Sequence, residues 1–211
     1  MPGRTWIVKG ATIGLCATER EEFISRWELL NDLELEVMMW ASASPRFPRD
    51  IALPPVSREQ REVMYAGIAD RTRVHFDIRM IDDDRFVGEA FLSPFSWPTA
   101  SAELSVLILD PADRAQGYTR EAVPLIGAYA FDVLWLNRLT LRALVFNEGV
   151  GTLVEEMAAP LGARVVGVEH EAAFAFGAHR DVILVECLRR DFPPQEATAH
   201  LRKPPPERRR S

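Results

Sequence analysis

The sequence predicts a mixed α/β (α+β) domain, a sheet with helices packed on it, and three observations carry that reading. Segments alternating with a period of two are interleaved with segments whose apolar residues recur every three or four positions. Thr18 with Glu21, and Ser57 with Gln60, have the spacing of capping boxes and mark two helix starts. Two stretches, one turning at Asp82-Asp83-Asp84 and one around Gly177, read as antiparallel hairpins.

Taken in order, the apolar run Ala11 to Ala17 is the first strand, and a helix follows from Glu19 to about Asn31. Met38 to Val56 holds Pro45, Pro48, Pro54 and Pro55, which leaves no room for a long regular element and predicts a loop. Within it, the long insertion around Trp40 to Pro55 is the expected lid over a binding site. The helix that Ser57 opens runs to about Asp70. Val74 to Ile81 and Phe86 to Leu92 form the first hairpin, and Ser101 to Leu109 is the next strand. A helix from Tyr118 to about Leu134, a strand from Arg138 to Val145 and a helix from Thr152 to Leu161 follow. Arg164 to Phe174 and Asp181 to Leu188 close the chain as a second hairpin. Residues 1–192 thus read as one domain. From Pro193 to Ser211 the chain has Pro-Pro, Pro-Pro-Pro and Arg-Arg-Arg with almost no apolar anchors, so residues 193–211 are expected to be a disordered tail.

Composition narrows the function. With 211 residues, 47% hydrophobic and 27% charged, the chain has the balance of an ordinary globular domain. No apolar run approaches the roughly 20 residues that cross a bilayer, and Met1 to Lys9 lacks an apolar signal region, so the expected address is the cytoplasm. A net charge of -6 argues against a body that grips nucleic acid by its phosphates. Cys16 and Cys187 are far apart in sequence and read as buried free thiols, not as a disulfide or metal pair. Trp27, Trp40, Trp97 and Trp135 read as packing aromatics, and His75 and His179 have no acid or nucleophile pattern near them in sequence.

The most informative segment is Leu107 to Ala122, where a buried strand, a short loop with a glycine and a helix start follow one another. The first amides of a helix have no intrahelical acceptors, and the helix dipole adds partial positive charge there, so this arrangement stabilises an anion. Gly117 would let backbone approach a phosphate, with Arg114 and Arg120 adding charge. The competing reading is that Asp113 caps the helix and Gly117 makes a turn.

Arg114-x-x-Gly117-x-Thr119 resembles the pyrophosphate loop of the GNAT acetyltransferase superfamily, and Gln116-Gly117-Tyr118-Thr119-Arg120-Glu121-Ala122 is similar to its ribosomal-protein N-acetyltransferase branch. Phe86-Val87-Gly88, Ala102-Glu103-Leu104, Ala130-Phe131-Asp132, Leu136-Asn137-Arg138, Asn147-Glu148 and Asp181-Val182-x-Leu184 extend the resemblance over about residues 11 to 190. It implies the GNAT fold, a mixed and mostly antiparallel sheet that splays at the strand Ser105 to Leu109. It implies acetyl-CoA as co-substrate and an amine acceptor, with no metal. Pantetheine would pair with the backbone at Ile108 and Leu109, and Arg114, Gln116, Gly117, Tyr118, Thr119 and Arg120 would hold the pyrophosphate. Asn147 would contact the pantetheine arm. Glu103 is the candidate general base, and Ser105, on the same strand face, a candidate hydrogen-bonding partner for the acceptor. His170, Glu169 and Glu171 on the closing hairpin are candidates to attract a cationic amine.

The chain departs from the family pattern at Thr119, where a small residue is usual, and at Val154, where a thiolate-protonating tyrosine is usual. The second departure keeps a non-catalytic acyl-CoA-binding module as the alternative. A third reading gives the basic tail, Arg202 to Arg210, a contact of its own with nucleic acid or an acidic protein. The sequence does not set an oligomeric state, although closing hairpins in related folds often pair across a homodimer.

Overall fold

The computed structural model describes residues 4–32, 55–69, 73–144 and 157–202. Their strands form one sheet in the order β1-β2-β3-β4-β5-β6-β8-β7. The strands are β1 (Trp6–Lys9), β2 (Ile13–Ala17), β3 (Val74–Met80), β4 (Phe86–Ser96), β5 (Ser101–Ile108), β6 (Arg138–Leu144), β7 (Arg164–Ala175) and β8 (Ala178–Leu188). Every neighbouring pair is antiparallel except β5 and β6, which run parallel. The helices are α1 (Arg20–Ser25), α2 (Arg58–Ala69), α3 (Tyr118–Ala128) and the single turn α4 (Ala159–Leu161).

Alternation along the strands assigns the two sheet faces. Ile13, Leu15, Phe76, Ile78, Ala90, Leu92, Ala102 and Leu104 are buried together with Val123, Ile126 and Phe131, which makes the face under α3 the apolar core. The opposite face carries α1 and α2. There a smaller apolar cluster of Leu30, Val56 and Leu109 sits beside a buried network of charges.

The Ser57–Gln60 box forms as expected: Ser57 N–H donates to Gln60 Oε1 at 2.7 Å and Gln60 N–H donates to Ser57 Oγ at 3.2 Å. The Thr18–Glu21 box does not form. Thr18 Oγ1 instead lies 2.9 Å from His75 Nδ1 and 3.0 Å from Asp77 Oδ1, and α1 starts from Glu19 without a side-chain cap. The expected helix to Asn31 breaks at Arg26 into a 3-10 turn, Trp27–Asn31. Helix α3 passes through Pro124 and ends in a π-helical turn, Tyr129–Val133.

The expected tail is a correction over residues 193–202. Glu196–Arg202 forms a 3-10 helix, Thr198 is buried, and its hydroxyl donates to Asp132 Oδ2 at 2.6 Å. Arg202 Nε donates to Asp132 Oδ1 at 2.8 Å. Asp132 lies at the C-terminal end of the helical run, where the dipole disfavours a carboxylate, so the two donors stabilise a charge its own helix does not. Residues 203–211 lie outside the described residues.

Both thiols are free and buried, as expected. Trp97 and Trp135 are exposed rather than core: Trp97 stacks on Phe95 and Trp135 lies under Arg189. Among the described residues no helix is long and apolar enough to cross a membrane. Trp40 and most of the Pro-rich loop, up to Pro54, lie outside the described residues.

Candidate active site

Strands β5 and β6 pair over three positions, Ser101 with Arg138, Ala102 with Leu139 and Glu103 with Thr140, and then part. Beyond Glu103, β5 keeps only its β4 ladder, to Gly88↔Ile108, and beyond Thr140, β6 keeps only its β8 ladder, to Leu144↔Val182. The result is the splay that the resemblance implied, a gap in the sheet whose β5 wall runs from Leu104 to Ile108.

The gap leads to the start of α3. Asp110 caps a 3-10 turn, accepting from Ala112 N–H at 2.9 Å, and Arg114 N–H donates to Pro111 O at 3.2 Å. Asp113 does not cap α3: it is buried and binds Arg85 at 2.6 Å. The N-cap is Gly117, at φ 82°, and no side chain caps the helix. A Cβ added at Gly117 would meet nothing within 4 Å, although any L-residue is strained at that φ. The first-turn amides thus begin beside open space, with the dipole behind them. Gln116, Gly117 and Arg120 are exposed, while Tyr118 and Thr119 are half-buried.

Arg114 has a different local task from the charge donor that its sequence position suggested. Its Nε donates to Ile108 O at 3.3 Å, its Nη2 to Leu109 O at 3.1 Å, and Asp32 lies 3.4 Å away. The guanidinium therefore ties the end of β5 to the loop. Ile108 and Leu109 have their side chains packed in the two apolar clusters, so what they can offer a ligand is backbone. Glu121, in the first turn of α3, accepts from the backbone N–H groups of Ala11, Thr12 and Ile13 at 2.7, 2.7 and 3.2 Å. Gly10 makes that clamp feasible, because a Cβ there would stand 2.5 Å from Glu121 Oε1.

Glu103 and Ser105 share the face opposite α3, as the period of two requires, and both are half-buried. Ser105 is paired with Phe91, whose ring stacks on His75 with centroids 5.9 Å apart. Asn147 and Val154 lie outside the described residues. On the closing hairpin Glu169 is bound by Arg142, and His170 Nδ1 lies 3.0 Å from Asp181, which also accepts from Glu171 N–H.

Sequence reasoning missed the charge network behind this face. His75, which carried no signal of a role in the sequence, has Nε2 at 3.4 Å from Glu89 Oε2. Arg61 is 1% exposed; its Nη2 donates to Glu89, its Nε donates to Phe23 O at 3.1 Å, and its guanidinium lies 3.2 Å over the Phe23 ring. Arg26 and Arg79 bind Asp77 at 2.8 and 3.1 Å. Burial works to raise the Glu89 pKa, but Arg61, His75 and Arg26 outweigh it and hold it at about 2. The one available signal was an arginine, Arg61, within a short helix, paired with polar alternation on β3.

Among the described residues no group of three His, Cys, Asp or Glu is placed to hold a metal ion. A family model described as acetyltransferase (GNAT) domain matches residues 27–158. No curated protein matches the sequence. A solved spermidine N-acetyltransferase from Vibrio cholerae, in complex with CoA and spermine, superposes with a TM-score of 0.70 at 22% identity, covering 85% of this chain and 96% of that one. A dodecameric structure of spermidine N-acetyltransferase from Vibrio cholerae gives 0.66 at 23% identity, covering 84% and 94%.

Proposed function

The chain belongs to the acetyltransferase (GNAT) domain family, and from that premise we propose that this acetyl-CoA-dependent N-acetyltransferase moves the acetyl group to a primary amine by direct attack in a ternary complex. The observation that carries the reading is the three-pair contact of β5 with β6, followed by a gap that ends at the uncapped N-terminus of α3. Acetyl-CoA supplies the activated thioester. The residues fit it: a backbone wall from Leu104 to Ile108 suits an amide-bearing arm, and the open side of Gly117 suits a pyrophosphate on the first-turn amides.

In this reading the amides of Tyr118, Thr119 and Arg120 bind the diphosphate, Thr119 adds its hydroxyl, and Gln116 and Arg120 flank it from exposed positions. Arg114 acts one step back, holding the strand end to the loop. Asn147 is retained as the contact for the arm. Glu103 removes the proton from the bound ammonium, directly or through water, and Ser105 orients the neutral amine as it attacks the thioester carbonyl. As the C–N bond replaces the C–S bond, the CoA thiolate leaves and takes a proton from water. Most of the rate enhancement is positional, since aligning two reactants removes on the order of 7 to 11 kcal/mol from a barrier. The acceptor is a small-molecule amine or a protein N-terminus. We also place the end of the domain at the Asp132 contacts of residues 193–202 rather than at residue 192, with the remaining basic segment outside the catalytic role.

The test is acetyl-CoA binding by calorimetry to wild type and Gly117→Trp, followed by amine-dependent thiol release. Binding abolished in the variant, with thiol release in wild type, is expected. Binding without release from any amine would favour the non-catalytic module. Glu103→Gln should lower kcat most below neutral pH; full kcat at every pH would remove Glu103 as the base.

A further inference from the structure

The mouth of the gap is bordered by charged side chains. Beyond the last β5–β6 pair, Glu103 with Thr140, the next residues on the acceptor face are Ser105 on one wall and Arg142 on the other. The Arg142 side chain is 14% exposed, its Nη2 donates to Glu169 Oε2, and its buried Nε has no hydrogen-bond partner among the described residues. On the adjoining strand Glu186 lies between Arg138 at 3.5 Å and Arg164 at 3.0 Å. The register continues this row from Glu103 through Thr140 to Glu186, so all of these groups border one surface.

Both carboxylates that the β7–β8 hairpin turns toward this surface, Glu169 and Glu186, are therefore held by arginines, and with Glu103 the surface carries three carboxylates and three guanidinium groups. A polyamine would have to take Glu169 and Glu186 from their arginine partners and then sit beside the charge released. An acceptor bearing a carboxylate meets the opposite situation. A buried guanidinium N–H without an acceptor costs the free protein, and a ligand oxygen that reaches it recovers that cost in a charge-assisted bond.

We infer that Arg142 is a specificity residue, selecting amines that carry a nearby anionic group, such as amino acids and acidic peptides, over polyamines. The inference rests on acetyl transfer at this gap. It departs from the spermidine acceptor named for the structural neighbours, whose likeness concerns the fold.

The experiment measures kcat/KM by thiol release from acetyl-CoA with full-chain protein and three probes: an aspartyl tripeptide, glycylglycinamide and spermidine. Wild type is expected to prefer the aspartyl peptide over spermidine at least tenfold. In Arg142→Gln the ratio of aspartyl peptide to glycylglycinamide should fall at least tenfold, through KM, and Arg142→Lys should restore part of it. Acetyl-CoA affinity and melting temperature of each variant show that the fold is intact. A wild-type preference for spermidine, or a ratio unchanged in Arg142→Gln, overturns the inference while leaving acetyl transfer standing. Acetyl-CoA binding with no thiol release from any amine overturns both.

Discussion

Replacing Glu89 with glutamine tests whether the acceptor-side helices are docked by charge. Glu89 is 2% exposed and faces the equally buried Arg61, the one buried residue of α2. Glutamine keeps the shape and removes the charge, leaving the buried Arg61 guanidinium with neutral acceptors and the Phe23 ring in place of a bonded carboxylate. Removing one partner of a buried ion pair costs about 3–5 kcal/mol. An independent route gives a similar figure: a pKa lowered from 4.5 to about 2 is a gap of about 2.5, worth about 3 kcal/mol at 1.36 kcal/mol per pH unit. Because the folded-state pKa is depressed, this stability is fully present above about pH 4.5 and is lost as pH falls toward 2. Urea unfolding of wild type and Glu89→Gln, followed by tryptophan fluorescence from pH 7 to pH 3, should give a difference of about 3 kcal/mol at pH 7 that shrinks below pH 4.5. A difference under about 1 kcal/mol at pH 7, or one that stays constant down to pH 3, would refute the electrostatic account.

Gly117→Ala should cost the fold about 1 kcal/mol, from its positive φ alone, while weakening acetyl-CoA binding at least tenfold by calorimetry. Truncation after Arg202 should leave the unfolding free energy within about 0.5 kcal/mol of wild type. Truncation after Phe192 should cost about 2 kcal/mol or more, since Asp132 then loses Thr198 and Arg202. Burial raises the Cys16 pKa to about 11 and that of Cys187 to about 12, so Ellman's reagent at pH 8 should find no reactive thiol before unfolding and two after it.

What the sequence made legible was local. The Ser57–Gln60 box has both partners within one turn, and the β5–loop–α3 run declares itself by strand alternation, a glycine and a helix start in immediate succession. What it hid was long-range. Thr18 had the spacing to cap α1, yet it bonds His75 and Asp77, which lie more than fifty residues on. The alternation His75-x-Asp77-x-Arg79 looks like a solvent face, and it is buried because Glu22 of α1 and Arg26 at its end pair Arg79 and Asp77, and Glu89 from β4 faces His75. Arg114 and Asp113 were readable as charges beside a phosphate loop; their partners, Asp32 and Arg85, were not. Composition set residues 193–202 down as unanchored because their anchor, Asp132, belongs to another part of the chain.

The short contact of β5 with β6 gives the molecule two strand edges in its interior. Exposed edges invite a foreign strand, and proteins ordinarily hide them at the margin of the sheet. Here a pair of them is kept at the centre, with the β1–β5 half and the β6–β8 half joined by three residues on each side. An amide-bearing chain that enters the gap adds a partial strand to β5. Under the proposed function that chain is the acetyl-CoA arm, which makes cofactor binding and the completion of the sheet one event and predicts a loaded enzyme measurably stiffer across this seam than the free one.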